Sequence, residues 1–139
     1  MALCAISSVS NGVLVDEVQT GDSEAIVCEM SSGSPKAVKI AKTHKPADAS
    51  EADRIRKLGG TVEKVGGVVR VNKDLSVSRA IGDAGLKQFV IPDPSVTYRK
   101  LTQSDEWLVI ASDGLWDYMG PNTAAIVVSL VLFFLLQLT

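Results

Sequence analysis

Trp107-Leu108-Val109-Ile110-Ala111-Ser112-Asp113-Gly114-Leu115-Trp116-Asp117 decides how the rest of this chain is read. Its first five residues form a short apolar run that ends on a turn signal, which predicts a continuous apolar strand over Trp107 to Ala111. The strand runs straight into Ser112-Asp113-Gly114, so the Asp113 carboxylate stands at its tip. Working upstream, Gly66-Gly67 separates Thr61–Val65 from Val68–Val71 and supplies the positive φ that a tight primed turn requires, predicting a hairpin. Ser50 precedes Asp53 by a capping-box spacing, and Ala52, Ile55 and Leu58 follow at helical intervals until Gly59-Gly60, predicting a short amphipathic helix. Arg54, Arg56 and Lys57 fall near its negative dipole end, where cations are favoured.

The first third is β-rich in the same reading. Val13 to Val18 predicts a strand, Gly21-Asp22-Ser23 a turn, and Ala25 to Cys28 a second apolar strand that Ser31-Ser32-Gly33-Ser34-Pro35 breaks. That pattern predicts a hairpin with Asp22 at its tip, a second acidic tip to set beside Asp113.

The chain has 139 residues, 46% of them hydrophobic and 22% charged, enough for one domain with a core. Fourteen lysines and arginines against sixteen acids give a net charge of −2, which excludes a basic field for nucleic acid. Cys4 and Cys28 make no disulfide framework, and Met1-Ala2-Leu3-Cys4-Ala5 lacks the features of a secretory signal, so a cytoplasmic or nuclear location is expected. A thiolate phosphatase needs an arginine at a fixed short spacing after its cysteine; here those positions hold Ser10 and Ser34, and both cysteines read as small hydrophobes.

Hard divalent cations bind carboxylate oxygens, and a two-metal hydrolytic site needs several carboxylates converging from strand ends. Asp22 and Asp113 are placed for that, although Asp-Gly and Asp-Ser pairs also mark ordinary turns. The order of the surrounding segments adds to this. Gly21-Asp22-Ser23, Thr43-His44-Lys45-Pro46, Arg54-Ile55 before Gly59-Gly60, Leu75-Ser76-Val77-Ser78-Arg79-Ala80-Ile81-Gly82-Asp83, Ile91-Pro92-Asp93-Pro94 and Ala111 to Asp117 together resemble the C-terminal half of the PPM-type (type 2C) metal-dependent serine/threonine protein phosphatases. The resemblance covers about residues 12 to 118.

It implies an α+β fold, a sandwich of two antiparallel β-sheets flanked by helices, here truncated. It also implies magnesium or manganese as cofactor, two ions bridged by a water that attacks phosphoserine or phosphothreonine without a covalent intermediate, and phosphorylated proteins as partners of a monomer. By resemblance, Asp113 binds the core metal pair and Asp22 a further, weaker ion. Arg79 and Asp83 shape the cleft through the Ser-Arg-x-x-Gly-Asp motif, the alternative for Arg79 being a surface salt bridge. His44, the single histidine, is expected to serve a loop or packing role, and Trp116 to anchor the core in preference to stacking on substrate.

The pattern also breaks. The acidic pair, the Asp-Gly-His-Gly-Gly segment and the phosphate-binding arginine of the family's N-terminal half do not occur before Gly21, and Glu24 replaces an arginine, making the pocket more acidic. Gly120 to Val128 resembles the family's closing Asp-Asn motif and last strand, with Pro121 in place of a metal-binding aspartate, which predicts a buried strand over Ala125 to Leu130. The domain then spans residues 1–130, followed by an apolar tail over 131–139. The run from Ala124 to Leu138 interrupts 15 residues only with Ser129 and Gln137, short of the roughly 20 that a spanning helix needs, so a C-terminal membrane anchor is the rival reading of the tail. A non-catalytic binding module is the rival reading of the whole.

Overall fold

The computed structural model describes residues 3–6, 15–40 and 42–137. In chain order these form β1 (Leu3–Ile6), β2 (Val15–Thr20), β3 (Glu24–Ser31), β4 (Ser34–Lys39), α1 (Ala49–Lys57), β5 (Val62–Val65), β6 (Val68–Val71), β7 (Ser95–Arg99), β8 (Asp105–Ala111), α2 (Asp113–Trp116) and α3 (Pro121–Leu136). One antiparallel sheet has the order β1-β2-β7 and a second the order β4-β3-β8, while β5 and β6 make a separate ribbon. This is an α+β fold of antiparallel sheets and flanking helices. Arg99 of β7 ties the sheets together, its Nη2 lying 2.6 Å from Asp105 and 3.5 Å from Glu29.

Ala25 to Cys28 are all buried because β3 is central and covered on both faces. Ala25 and Val27 meet Ile40 and Leu101 on one side. Ile26 and Cys28 meet Ala124 and Ala125 of α3, with Trp107, Val109 and Trp116, on the other. Burying a side chain such as Ile26 contributes roughly 1.5–3 kcal/mol, so an apolar run is what a central strand requires. β8 is an edge strand within this chain: Trp107 and Val109 turn inward, while Leu108 and Ile110 remain 37% and 44% exposed. A third cluster, Ile55, Val71, Ala80 and Val90, joins α1 to the β5–β6 ribbon. That ribbon turns on Gly66 and Gly67 at φ 58° and 89°, as the sequence predicts.

Several expectations need correction. β2 and β3 do not pair as a hairpin; Gly21, at φ 104°, turns the chain from one sheet into the other. The residues at that turn are those a hairpin would use, and pairing is decided by distant strands. The segment Ser31 to Pro35 does more than break a strand. Ser32 and Gly33, at φ 53° and 79°, form a two-residue turn that returns the chain as β4, and Pro35 is tolerated there because β4 is an edge. The N-cap of α1 is Asp48 and not Ser50, with no side-chain cap bond.

Ala125 to Leu130 is not a strand. It lies within the helix α3, which starts from Gly120 with Pro121 at its first turn, where a missing N–H costs nothing. Pro121 is therefore a helix initiator, and the reading that set it in place of a metal-binding aspartate at the head of a last strand is overturned. Ala124 and Ala125 pack on β3, their small side chains letting the helix approach closely, while Leu130, Phe133, Phe134 and Leu136 stay exposed. Among the described residues no helix is long and apolar enough to cross a membrane.

Candidate active site at one end of the β3–β8 pair

The register of β3 against β8 decides where the two acidic tips lie. Glu24 pairs with Ala111 and Ala25 with Ile110, antiparallel, so the chain enters β3 and leaves β8 at the same end of the sheet. Asp22 stands two residues before Glu24 and Asp113 two residues after Ala111, which brings both residues to that end. Trp116 fastens it. Its indole Nε1–H donates to the Glu24 carbonyl at 3.2 Å and to the Ala111 carbonyl at 2.9 Å, clamping α2 across the last rung of the ladder. Trp116 is thus an anchor.

The Asp22 side is held from behind by His44. The His44 amide donates to the Gly21 carbonyl at 2.8 Å, and the Gly21 amide donates to His44 Nδ1 at 3.3 Å. Since Nδ1 accepts, the neutral ring carries its proton on Nε2, which faces Ser95 Oγ at 2.7 Å. Burial pushes this imidazole down from its ordinary pKa, the Arg79 and Lys42 charges push the same way, and Glu51 and Asp48 oppose them. A fully buried, neutral, doubly bonded ring is a structural brace, as the loop-or-packing expectation holds.

The brace continues inward. The Ser78 amide donates to the His44 carbonyl at 2.9 Å, and Arg54 Nη2 donates to the Ser78 carbonyl at 2.9 Å and to Glu51 at 2.9 Å. Arg79 closes on the same Glu51 carboxylate at 2.5 Å and also donates to the Asp93 carbonyl at 3.0 Å. The guanidinium is turned inward and 19% exposed, so its ion pair is a buried one where a surface pair was the alternative. Asp83 sits at the exposed turn before a short 3-10 segment over Ala84–Leu86, at φ 53°. Glu51 and Arg54 were missed in the sequence. The available signal was an acid on the same helical face as Ala52 and Ile55, answered by an arginine three residues on.

Two lysines neutralise the acids near the β3 entrance. Lys45 Nζ lies 2.5 Å from Asp22 Oδ2, and Lys39 Nζ lies 2.5 Å from Glu24 Oε2. The extra acidity expected from Glu24 is thereby offset. Asp113 is exposed as the first residue of α2, following Ser112 in extended conformation. Among the described residues no group of three or more His, Cys, Asp or Glu side chains could hold a metal ion. Asp22 and Asp113 are hard oxygen donors of the kind magnesium accepts, since that ion keeps several of its waters and is commonly held by one or two carboxylates. A largely apolar groove of about 770 Å³ lies elsewhere, between α3 and the Met30–Pro35 end of the sheet, where Glu106 is the one carboxylate among described lining residues such as Met30, Trp107, Leu130 and Phe133.

Residues 2–132 match the sequence profile of the family described as protein phosphatase 2C. The chain is 39% identical over 126 residues to probable protein phosphatase 2C 71 of Arabidopsis thaliana, covering 88% of this chain and 27% of that protein. It is 42% identical over 122 residues to probable protein phosphatase 2C 45 of Oryza sativa subsp. japonica, covering 85% and 42%. Among solved structures, a C. elegans sex-determining protein superposes with a TM-score of 0.77 at 27% identity, covering 87% of this chain and 28% of that one. A serine-threonine phosphatase 2C from Toxoplasma gondii superposes with a TM-score of 0.74 at 26% identity, covering 83% and 42%. The chain therefore spans between about a quarter and two fifths of the length of these proteins.

Proposed function

This chain belongs to the protein phosphatase 2C family, and on that premise we propose that it forms part of a metal-dependent phosphatase acting on phosphoserine and phosphothreonine proteins, with Asp22 and Asp113 as two of the carboxylates that hold magnesium or manganese. The observation that carries the reading is the β3–β8 register, which brings both aspartates to one end of one sheet. Bound there, a divalent cation would neutralise phosphoryl oxygens and lower the pKa of a bound water for attack on phosphorus. The chain's own residues prepare the site. Trp116 pins the strand end from which Asp113 projects, His44 fixes the Gly21 turn from which Asp22 projects, and the Glu51 network holds the segment that carries Arg79.

The test is a chimera in which this chain replaces the matching part of a full-length relative. Manganese-stimulated hydrolysis of a phosphothreonine peptide is expected, with a loss of at least about a hundredfold on Asp113→Ala, the scale on which removal of a site's electrostatic stabilisation is felt. Hydrolysis indifferent to chelation, or unchanged by that substitution, would refute the proposal.

A further inference from the structure

Asp22 already has a cation. The Lys45 ammonium lies 2.5 Å from Oδ2, and three features make this pair more than a passing surface contact. The backbone under Lys45 is locked: His44 before it is bonded through both backbone groups and both ring nitrogens, Pro46 after it is buried, and the Lys45 carbonyl accepts the Asp48 amide at 3.1 Å. Asp22 is itself confined, its side chain 14% exposed beside the clamped Gly21. The Lys45 side chain is 42% exposed on a four-carbon stem, so when the pair opens the lysine is the partner that moves.

We infer that Lys45 is a built-in competitor at Asp22, an internal ammonium that holds the carboxylate until a divalent cation displaces it. The inference rests on the reading of Asp22 as a metal ligand. A carboxylate oxygen in contact with an ammonium cannot also coordinate a divalent ion without bringing two positive charges together, so occupancy by one disfavours the other. Lysine suits this role better than arginine, because a single point charge on a flexible stem releases more readily than a planar fork.

Manganese binding to the 139-residue chain, followed by electron paramagnetic resonance, tests it without recourse to turnover. Lys45→Met should tighten the apparent Kd by about three- to tenfold, somewhat above what an ordinary exposed ion pair is worth because Asp22 is confined. Lys45→Arg, which keeps the charge, should not tighten it. In an Asp22→Asn background the Lys45→Met gain should vanish. If Asp22→Asn weakens binding but Lys45→Met leaves it unchanged, the competitor role is overturned and Asp22 remains a ligand. If Asp22→Asn has no effect with either residue at position 45, the reading of Asp22 fails with it. The unsubstituted chain supplies a second readout: acylation of Lys45, followed by mass spectrometry, should accelerate as magnesium is added, and a rate independent of magnesium counts against displacement.

Discussion

Arg79 Nη2 stands 2.5 Å from Glu51 Oε1, with Nε 3.2 Å from each carboxylate oxygen, and the Glu51 side chain is only 3% exposed. Arg54 binds the same carboxylate from its own helix, so one buried acid is shared by two guanidinium groups. The pair ties α1 to the segment that carries Arg79, which is why its removal should be felt far from either residue.

Glu51→Gln is expected to lower unfolding stability by about 3 kcal/mol, since it leaves two guanidinium groups facing a buried neutral amide. Urea denaturation measures it. A loss under about 1 kcal/mol would show that the network is peripheral to stability.

The same group sets an acid limit. Burial alone would raise the Glu51 carboxyl, but hydrogen bonds from Arg79 and Arg54 overcome it and bring the pKa from 4.5 to about 2. A depressed folded-state pKa contributes stability above the unfolded value, lost as pH falls through the folded one. That contribution is about 3 kcal/mol, present above about pH 4.5 and gone near pH 2. His44 acts earlier. Its depressed pKa favours folding above the ordinary 6.5 and disfavours it progressively below, because only the unfolded chain takes up the proton freely. Stability measured against pH should therefore fall in two stages, and Glu51→Gln should shrink the lower one, leaving the part carried by Asp105, whose carboxyl, despite burial, Arg99 and Thr102 also hold below its ordinary value.

Trp116→Phe keeps an aromatic ring against the cluster of Ile26, Cys28, Ala124 and Ala125 but removes the indole donor shared by the Glu24 and Ala111 carbonyls. A loss of about 1–3 kcal/mol is expected, with faster amide exchange confined to the Glu24–Ala111 end of the sheet. Uniform acceleration along β3 and β8 would contradict the local clamp.

Gly60 is required by proximity. A Cβ there would lie 2.7 Å from the Phe89 ring and 2.8 Å from Ile55 Cγ2, inside the cluster that joins α1 to β5 and β6. Gly60→Ala should cost about 1–3 kcal/mol by overpacking, and Gly60→Ala with Phe89→Leu should recover part of it. Thermal unfolding of both variants decides.

Local chemistry carried the elements that depend on neighbours in sequence. Gly66-Gly67 signalled a tight turn, the spacing of Ala52 and Ile55 a helix, and the short run Trp107 to Ala111, closed by a turn signal, a strand delivering Asp113 at its end. The α3 segment was misread because a run apolar on every side carries no period; its 15-residue length was the signal that favoured a helix over a strand of ordinary size.

Tertiary structure alone decided what those elements do together. Gly21-Asp22-Ser23 reads identically whether the chain folds back or crosses to another sheet, and only pairing with β7 and β8, some eighty residues away, makes it a crossing. The β3–β8 register also brings Asp22 and Asp113 to one end of the sheet, while separate tertiary contacts pair Asp22 with Lys45 and bury Glu51 between two arginines. Residue types and their order determined the family and the candidate carboxylates by themselves. Whether those carboxylates share one end of a sheet, and what already neutralises them, depended on strand register and burial, which are properties of contacts that no local window contains.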